Sequence, residues 1–185
     1  MLIRSLALTV VVLLAGCAGG GKSYYVLTAD GPAPSGGGVG IGVGPVTVAE
    51  YIDRPNLVVA EGPNQLGIAE DHRWAGDLQA SVKRVTAANL GRRMKSGNVR
   101  EYPWGNDGEI RYQVILDVRQ MHAANDGHAV IEAGWRAYLL PDRKLMASRT
   151  FVAREPLEAD GYAALVAAQS RLLSRLADDI SAALR

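Results

Sequence analysis

Cys17 is the only cysteine in this chain of 185 residues, and it restricts the fold more than any other feature. One thiol allows no internal disulfide and no cysteine-based zinc site, so the fold has to be held by apolar packing and backbone pairing. Its position restricts the chain further. Residues 1–16 carry a single charge, Arg4, followed by an apolar run from Leu6 to Ala15, which is the layout of a secretory signal. A run of about ten residues falls well short of the roughly 20 that a helix needs to cross a bilayer core. The expected organisation is a signal peptide over 1–16, a modified cysteine and short tether over 17–23, and one folded domain over 24–185.

Leu14-Ala15-Gly16-Cys17 resembles the lipobox of bacterial lipoproteins. In such proteins the cysteine thiol receives a diacylglyceryl group, and the amine freed by cleavage receives a further acyl chain such as palmitate. Two or more chains anchor stably where one is marginal. Six residues, Ala18 to Ser23, then separate anchor from domain, and at roughly 3.5 Å each they reach about 21 Å. The domain is expected to ride close to the membrane face. Gly16 to Ser23 also fits the phosphate-loop pattern G-x-x-x-x-G-K-[ST], which requires a strand before it and a helix after it. Here a signal segment precedes it and the β-prone Tyr24 to Thr28 follows, so a flexible tether is the better account.

Composition places the rest among ordinary globular domains, with 48% hydrophobic and 21% charged residues. Net charge is +1, and Arg4 is the only charged residue ahead of Cys17, so its removal balances the two signs. A neutral chain lacks the basic surface that nucleic-acid binding requires.

The hydrophobic pattern predicts an α+β domain: a mainly antiparallel sheet packed against two helices. Strands are expected over Tyr24–Thr28, Val39–Val48 and Asn56–Ala60. Gly40, Gly42 and Gly44 interrupt the second of these; no helix follows them, so close backbone packing explains them better than a dinucleotide site. Tyr112, Val114, Leu116 and Val118 alternate with polar residues, Asp126-Gly127 marks a hairpin, and strands return through Ile131–Leu139 and Leu145–Val152. A first helix is expected from His72 to Lys95 with Asp71 as N-cap, its apolar stripe Leu78, Val82 and Val85, and its basic residues Lys83, Arg84, Arg92 and Arg93 on a solvated face or against an anionic partner. From Gly161 to Leu184 a second stripe runs through Leu165, Val166, Leu172, Leu173, Leu176, Ile180 and Ala183, with Gln169 the exception.

Little in the sequence points to catalysis. The histidines His72, His122 and His128 show no H-E-x-x-H spacing, and His122 and His128, which flank one hairpin and could face each other across it, make a poor metal site on their own. There is no G-x-S-x-G elbow. No cofactor, metal or catalytic residue is expected.

Several segments together resemble the ABC-type transport auxiliary lipoproteins, the paraquat-inducible protein C-like family. They are the lipobox; Tyr24-Tyr25-Val26-Leu27; Ile41 to Val48 leading into Tyr51-Ile52-Asp53-Arg54-Pro55; Arg73-Trp74 ahead of Leu78; and Tyr162 to Ser170 followed by Leu173, Leu176 and Ile180. The resemblance implies a non-enzymatic lipoprotein on the periplasmic side of the outer membrane. It implies work with an MCE-domain protein and an inner-membrane component in moving lipid between membranes. Ala18 after the cysteine, in place of aspartate, agrees with outer-membrane sorting. Tyr51, Asp53, Arg54 and Trp74 are candidate partner contacts, with a turn pair of Asp53 and Arg54 and a core-filling Trp74 as the plainer alternative. A structural or assembly lipoprotein of the envelope, a hydrolase and self-association of the chain stay open.

Overall fold

The computed structural model describes residues 21–105 and 108–185. Cys17, the lipobox and the start of the tether lie outside them. Eight strands and two helices follow in the order β1 (Ser23–Tyr25), β2 (Gly40–Val48), β3 (Asn56–Gly62), β4 (Gln65–Trp74), α1 (Leu78–Arg93), β5 (Val99–Glu101), β6 (Ile110–Ala123), β7 (His128–Leu139), β8 (Lys144–Pro156) and α2 (Tyr162–Ala183). Lys22-Ser23 leads into a strand, so the phosphate-loop match has no helix behind it.

All eight strands form one sheet, and β6 is its spine. Along one edge β6 pairs antiparallel with β7, which pairs antiparallel with β8. Along its other edge run first β2 and then β3, both parallel to it. β4 returns antiparallel on β3, β1 lies parallel on β4, and β5 lies parallel on β2. The expected α+β domain with two helices is present, but its sheet is mixed, not mainly antiparallel. The reason is the long connection from β2 to β6 through α1: a crossover of this length returns the chain parallel to the strand it left.

The alternation in β6 and β7 carries the core. Val114, Leu116, Val118 and Met121 are buried beside Ile131, Ala133, Trp135 and Ala137, and both helices cover this face. In α2 the stripe Leu165, Val166, Leu172, Leu173, Leu176 and Ile180 is buried, while Ala183 is half-buried. Gln169, the exception in that stripe, is buried as well and donates from Nε2 to the Met121 carbonyl at 3.4 Å. Polar clamps fix the register of the helix: Trp135 Nε1 donates to Asp179 at 2.9 Å, and Glu155 accepts from Arg171 at 2.8 Å and from Arg175 at 3.0 Å.

The first helix starts six residues later than the sequence suggests. Residues 72–74 belong to β4, where Ser23 pairs with His72 and Asn56 with Arg73. Asp77, not Asp71, is the N-cap, its carboxylate accepting from the Ala80 amide at 2.6 Å. The stripe of Leu78, Val82 and Val85 is buried as expected. Two of its four basic residues, Arg93 and Lys83, are tied into the fold. Arg93 bonds Asp178, Asp30 and Ser174, and Lys83 donates to the Tyr102 carbonyl. Asp30 also ties the arm after β1 across the two helices, since its amide donates to Asn89 and the Thr28 amide donates to Ser170.

The glycines of β2 serve close packing. A Cβ on Gly42 would lie 2.6 Å from the Trp104 ring, and one on Gly44, at φ +125°, would lie 2.5 Å from Tyr102 Cβ. β4 and the short β5 were not expected from the sequence.

Glu155 makes the fold acid-sensitive. Burial alone would raise its carboxyl, but hydrogen bonds and charges from Arg171 and Arg175 together hold it below the usual carboxylate range. A carboxyl depressed by folding stabilises the protein above its unfolded pKa, about 4.3 for Glu, and that stabilisation is lost as pH falls through the folded value. The expected result is that Glu155→Gln lowers the melting temperature at pH 7 and that the gap to the parent protein closes below about pH 4. Thermal melts of both proteins from pH 7 to pH 3 check it.

Candidate functional site

The turn after β2 gathers most of the candidate contacts. The Ile52 and Asp53 amides both donate to the Ala49 carbonyl at 3.0 Å, and the Arg54 amide donates to the Ile52 carbonyl at 2.8 Å. This winds the chain tightly and exposes Asp53 beside Pro55. The Trp74 amide then donates to the Pro55 carbonyl at 2.7 Å, and the Ala75 amide donates to the Tyr25 carbonyl at 2.8 Å. These bonds bring the turn, the end of β4 and strand β1 to one place.

A groove of about 360 Å³ lies between them, lined by Tyr24, Asp53, Arg54, Trp74, Asp77 and Leu78 among others. Tyr24 stands 62% exposed at its rim, whereas Trp74 is only 6% exposed and belongs to the core. Asp53 and Arg54 form no ion pair with each other among the described residues. Arg54 Nε is buried and has no hydrogen-bond partner. Arg54 and the open Tyr24 ring line the groove with the exposed carboxylates of Asp53 and Asp77, a surface suited to recognition, since Tyr and Arg supply much of the energy at protein interfaces.

Three of the four candidates therefore meet here and one does not. Tyr51 is turned towards β6, where its hydroxyl donates to the Arg119 carbonyl at 3.1 Å and its ring meets His122 edge-on at 6.0 Å. Burial, and then the negative charge of Glu132, raise its pKa. Tyr24 and Asp77 complete the groove and were missed by the sequence analysis. The signal for Tyr24 was its place in the middle of a short strand, which turns it to the face opposite the half-buried Tyr25.

Among the described residues no group of three or more His, Cys, Asp or Glu side chains could hold a metal ion. His122 and His128 do not face each other: His122 pairs with Val130 across the hairpin, and His128 contacts Asp126. Nor is any helix among the described residues long and apolar enough to cross a membrane.

The family model described as the ABC-type transport auxiliary lipoprotein component matches residues 25–181. The chain belongs to this family. It is an auxiliary lipoprotein of a transport system, and the matched span runs from β1 to the last turn of α2. Among relatives, the intermembrane transport lipoprotein PqiC of Escherichia coli K12 is 25% identical over 174 residues, covering 91% of this chain and 90% of its own length. An uncharacterized protein of Bradyrhizobium diazoefficiens is 25% identical over 172 residues. That alignment covers 88% of this chain, which spans only about half, 46%, of the relative's length. Among solved structures, protein XCC0632 of Xanthomonas campestris superposes with a TM-score of 0.68 at 21% identity, covering 86% of this chain and 93% of its own. An uncharacterized protein superposes with a TM-score of 0.75 at 21% identity, covering 89% of this chain and 99% of its own. These two likenesses show that the fold is shared.

Proposed function

We propose that this auxiliary lipoprotein is anchored through acylated Cys17 to the periplasmic face of the outer membrane. There it serves, without catalysis, in an MCE-type intermembrane lipid transport system. The observation that carries the reading is the family match over 25–181 directly behind a lipobox. The name of the E. coli relative, an intermembrane transport lipoprotein, supports intermembrane transport as the class. Partners in this reading are an MCE-domain protein and the inner-membrane component of its transporter, and no cofactor takes part.

The groove between Asp53, Arg54, Trp74 and Tyr24 is the proposed partner contact. Tyr24 and Arg54 can be changed with little cost to the core, because one is exposed and the other has no side-chain hydrogen bond at Nε to lose. The test is affinity capture of the full chain from cross-linked envelopes, followed by identification of what comes with it. An MCE-domain protein is expected, with capture reduced about tenfold or more in Tyr24→Ala with Arg54→Glu at unchanged melting temperature. Recovery of cell-wall or assembly proteins without an MCE-domain protein would turn the reading towards a structural lipoprotein.

A further inference from the structure

The register of β1 identifies which end of the domain lies nearest the anchor. β1 runs parallel to β4, with Ser23 opposite His72 and Tyr25 opposite Trp74. The chain therefore enters β1 from the side of the β3–β4 hairpin. From Ser23 back to Cys17 is six steps, about 21 Å at full stretch. From His72 back to Leu66 along β4 is also six steps, about 20 Å. The hairpin thus projects from Ser23 about as far as the tether can reach.

That hairpin carries an uncovered apolar face. Ile68 pairs with Val58 and Leu66 with Ala60, while the intervening Gly67 and Ala69 are buried. A bulge in β4 between Ile68 and Arg73, where the register against β3 slips, turns His72 and Trp74 to the core face with Ala69; there the Tyr162 ring at the start of α2 stacks on His72 at 3.9 Å, and Tyr25 bonds His72 at 2.8 Å. By Ser170 the helix has reached Thr28, beyond the far end of β1, so it runs away from the hairpin. On the opposite face of the sheet, Ile68 and Leu66 are 50% and 42% exposed. Exposed aliphatic side chains at one end of a domain mark a contact surface, and here the tether length limits what that surface can meet.

We propose that the tip of the β3–β4 hairpin docks on the phospholipid bilayer that holds the anchor, with Leu66 and Ile68 entering its interfacial layer. This rests on the reading of Cys17 as acylated. The charges around the tip set the lipid preference. Glu61, which accepts from Gln65 at 3.0 Å, and the exposed Glu70 and Asp71 form an acidic rim that anionic headgroups would repel. The contact is therefore apolar, favours zwitterionic headgroups, and is insensitive to salt.

The single cysteine makes the test clean, because acylation leaves the lipidated protein without a free thiol. Leu66→Cys, Ile68→Cys and, at the opposite end of the sheet in the exposed turn between β7 and β8, Asp142→Cys are each labelled with an environment-sensitive fluorophore. Each full, lipidated protein is reconstituted into phosphatidylcholine vesicles containing brominated lipid. Labels at 66 and 68 are expected to shift to the blue and lose at least half their intensity to the bromines, in low or high salt, while the label at 142 does neither. Labels at 66 and 68 as wet as the one at 142, in protein that floats with the vesicles, would overturn the proposal. A blue shift without bromine quenching would also overturn it, since the face would then be covered by protein. The acyl mass on Cys17, measured on the same samples, reads the anchor separately, and its absence would overturn the anchor and the docking together.

Discussion

Leu172→Ala and Leu176→Ala are each expected to cost about 2–5 kcal/mol of folding stability. Both side chains are wholly buried, one turn apart on α2, where that helix lies against β6, β7 and β8. Truncation removes the transfer free energy of three carbons and leaves a cavity. Neighbours cannot fill it freely, because the helix is pinned by Trp135 to Asp179 and by Glu155 to Arg171 and Arg175. Against a total of about 5–15 kcal/mol for a domain, either change is a large fraction. Melting temperatures should fall by on the order of 4–20 °C. Ala167→Ser, on the exposed side of the same helix, should stay within about 0.5 kcal/mol. Denaturant unfolding of the purified, unacylated proteins measures all three, and unchanged midpoints for the leucine variants would mean that α2 docks elsewhere than on its own sheet.

That helix was the most legible element because its information is local: 22 residues with one apolar stripe fix both its type and its buried face. The alternation in β6 and β7 was legible for the same reason. β4 was not. Asp71 and His72 look like a helix start, but Ser23 and Asn56, distant in sequence, pair with 72 and 73 and hold the chain extended. The parallel runs of β2 and β3 along β6 depend likewise on contacts that no short window contains.

The site divides along the same line. Asp53, Arg54 and Trp74 were candidate contacts without any stated proximity, and what joins them is one bond from the Trp74 amide to the Pro55 carbonyl. Tyr51 stands two residues before Asp53, yet the turn sends it towards Arg119 and His122. Tyr24 escaped notice because its exposure follows from the pairing of β1 on β4, a strand the sequence did not reveal. Leu66 and Ile68 escaped for a related reason: alternation shows which residues share a face, but only the register of β4 on β3, with its bulge before Arg73, shows which face the helices cover.

Cys17→Ala is expected to abolish acylation and outer-membrane anchoring outright. The chain holds no second cysteine to receive the diacylglyceryl group, so metabolic labelling with palmitate should fall to background. Each acyl CH₂ buried in a bilayer contributes about 0.8 kcal/mol, and the folded domain offers nothing of that size to take over. No helix among the described residues can cross a membrane, and two exposed aliphatics, Leu66 and Ile68, bury far less surface than one acyl chain. The variant should persist as an uncleaved precursor that is lost from the outer-membrane fraction. Its domain should nonetheless fold, since the core from Leu27 to Leu184 is built from residues well beyond position 17. Mass spectrometry of the N-terminus beside membrane fractionation checks both halves. Palmitate incorporated into the variant would rule out Cys17 as the acylated residue, whereas loss of the label with the protein still in the outer-membrane fraction would mean that the docked hairpin and a partner suffice to hold it there.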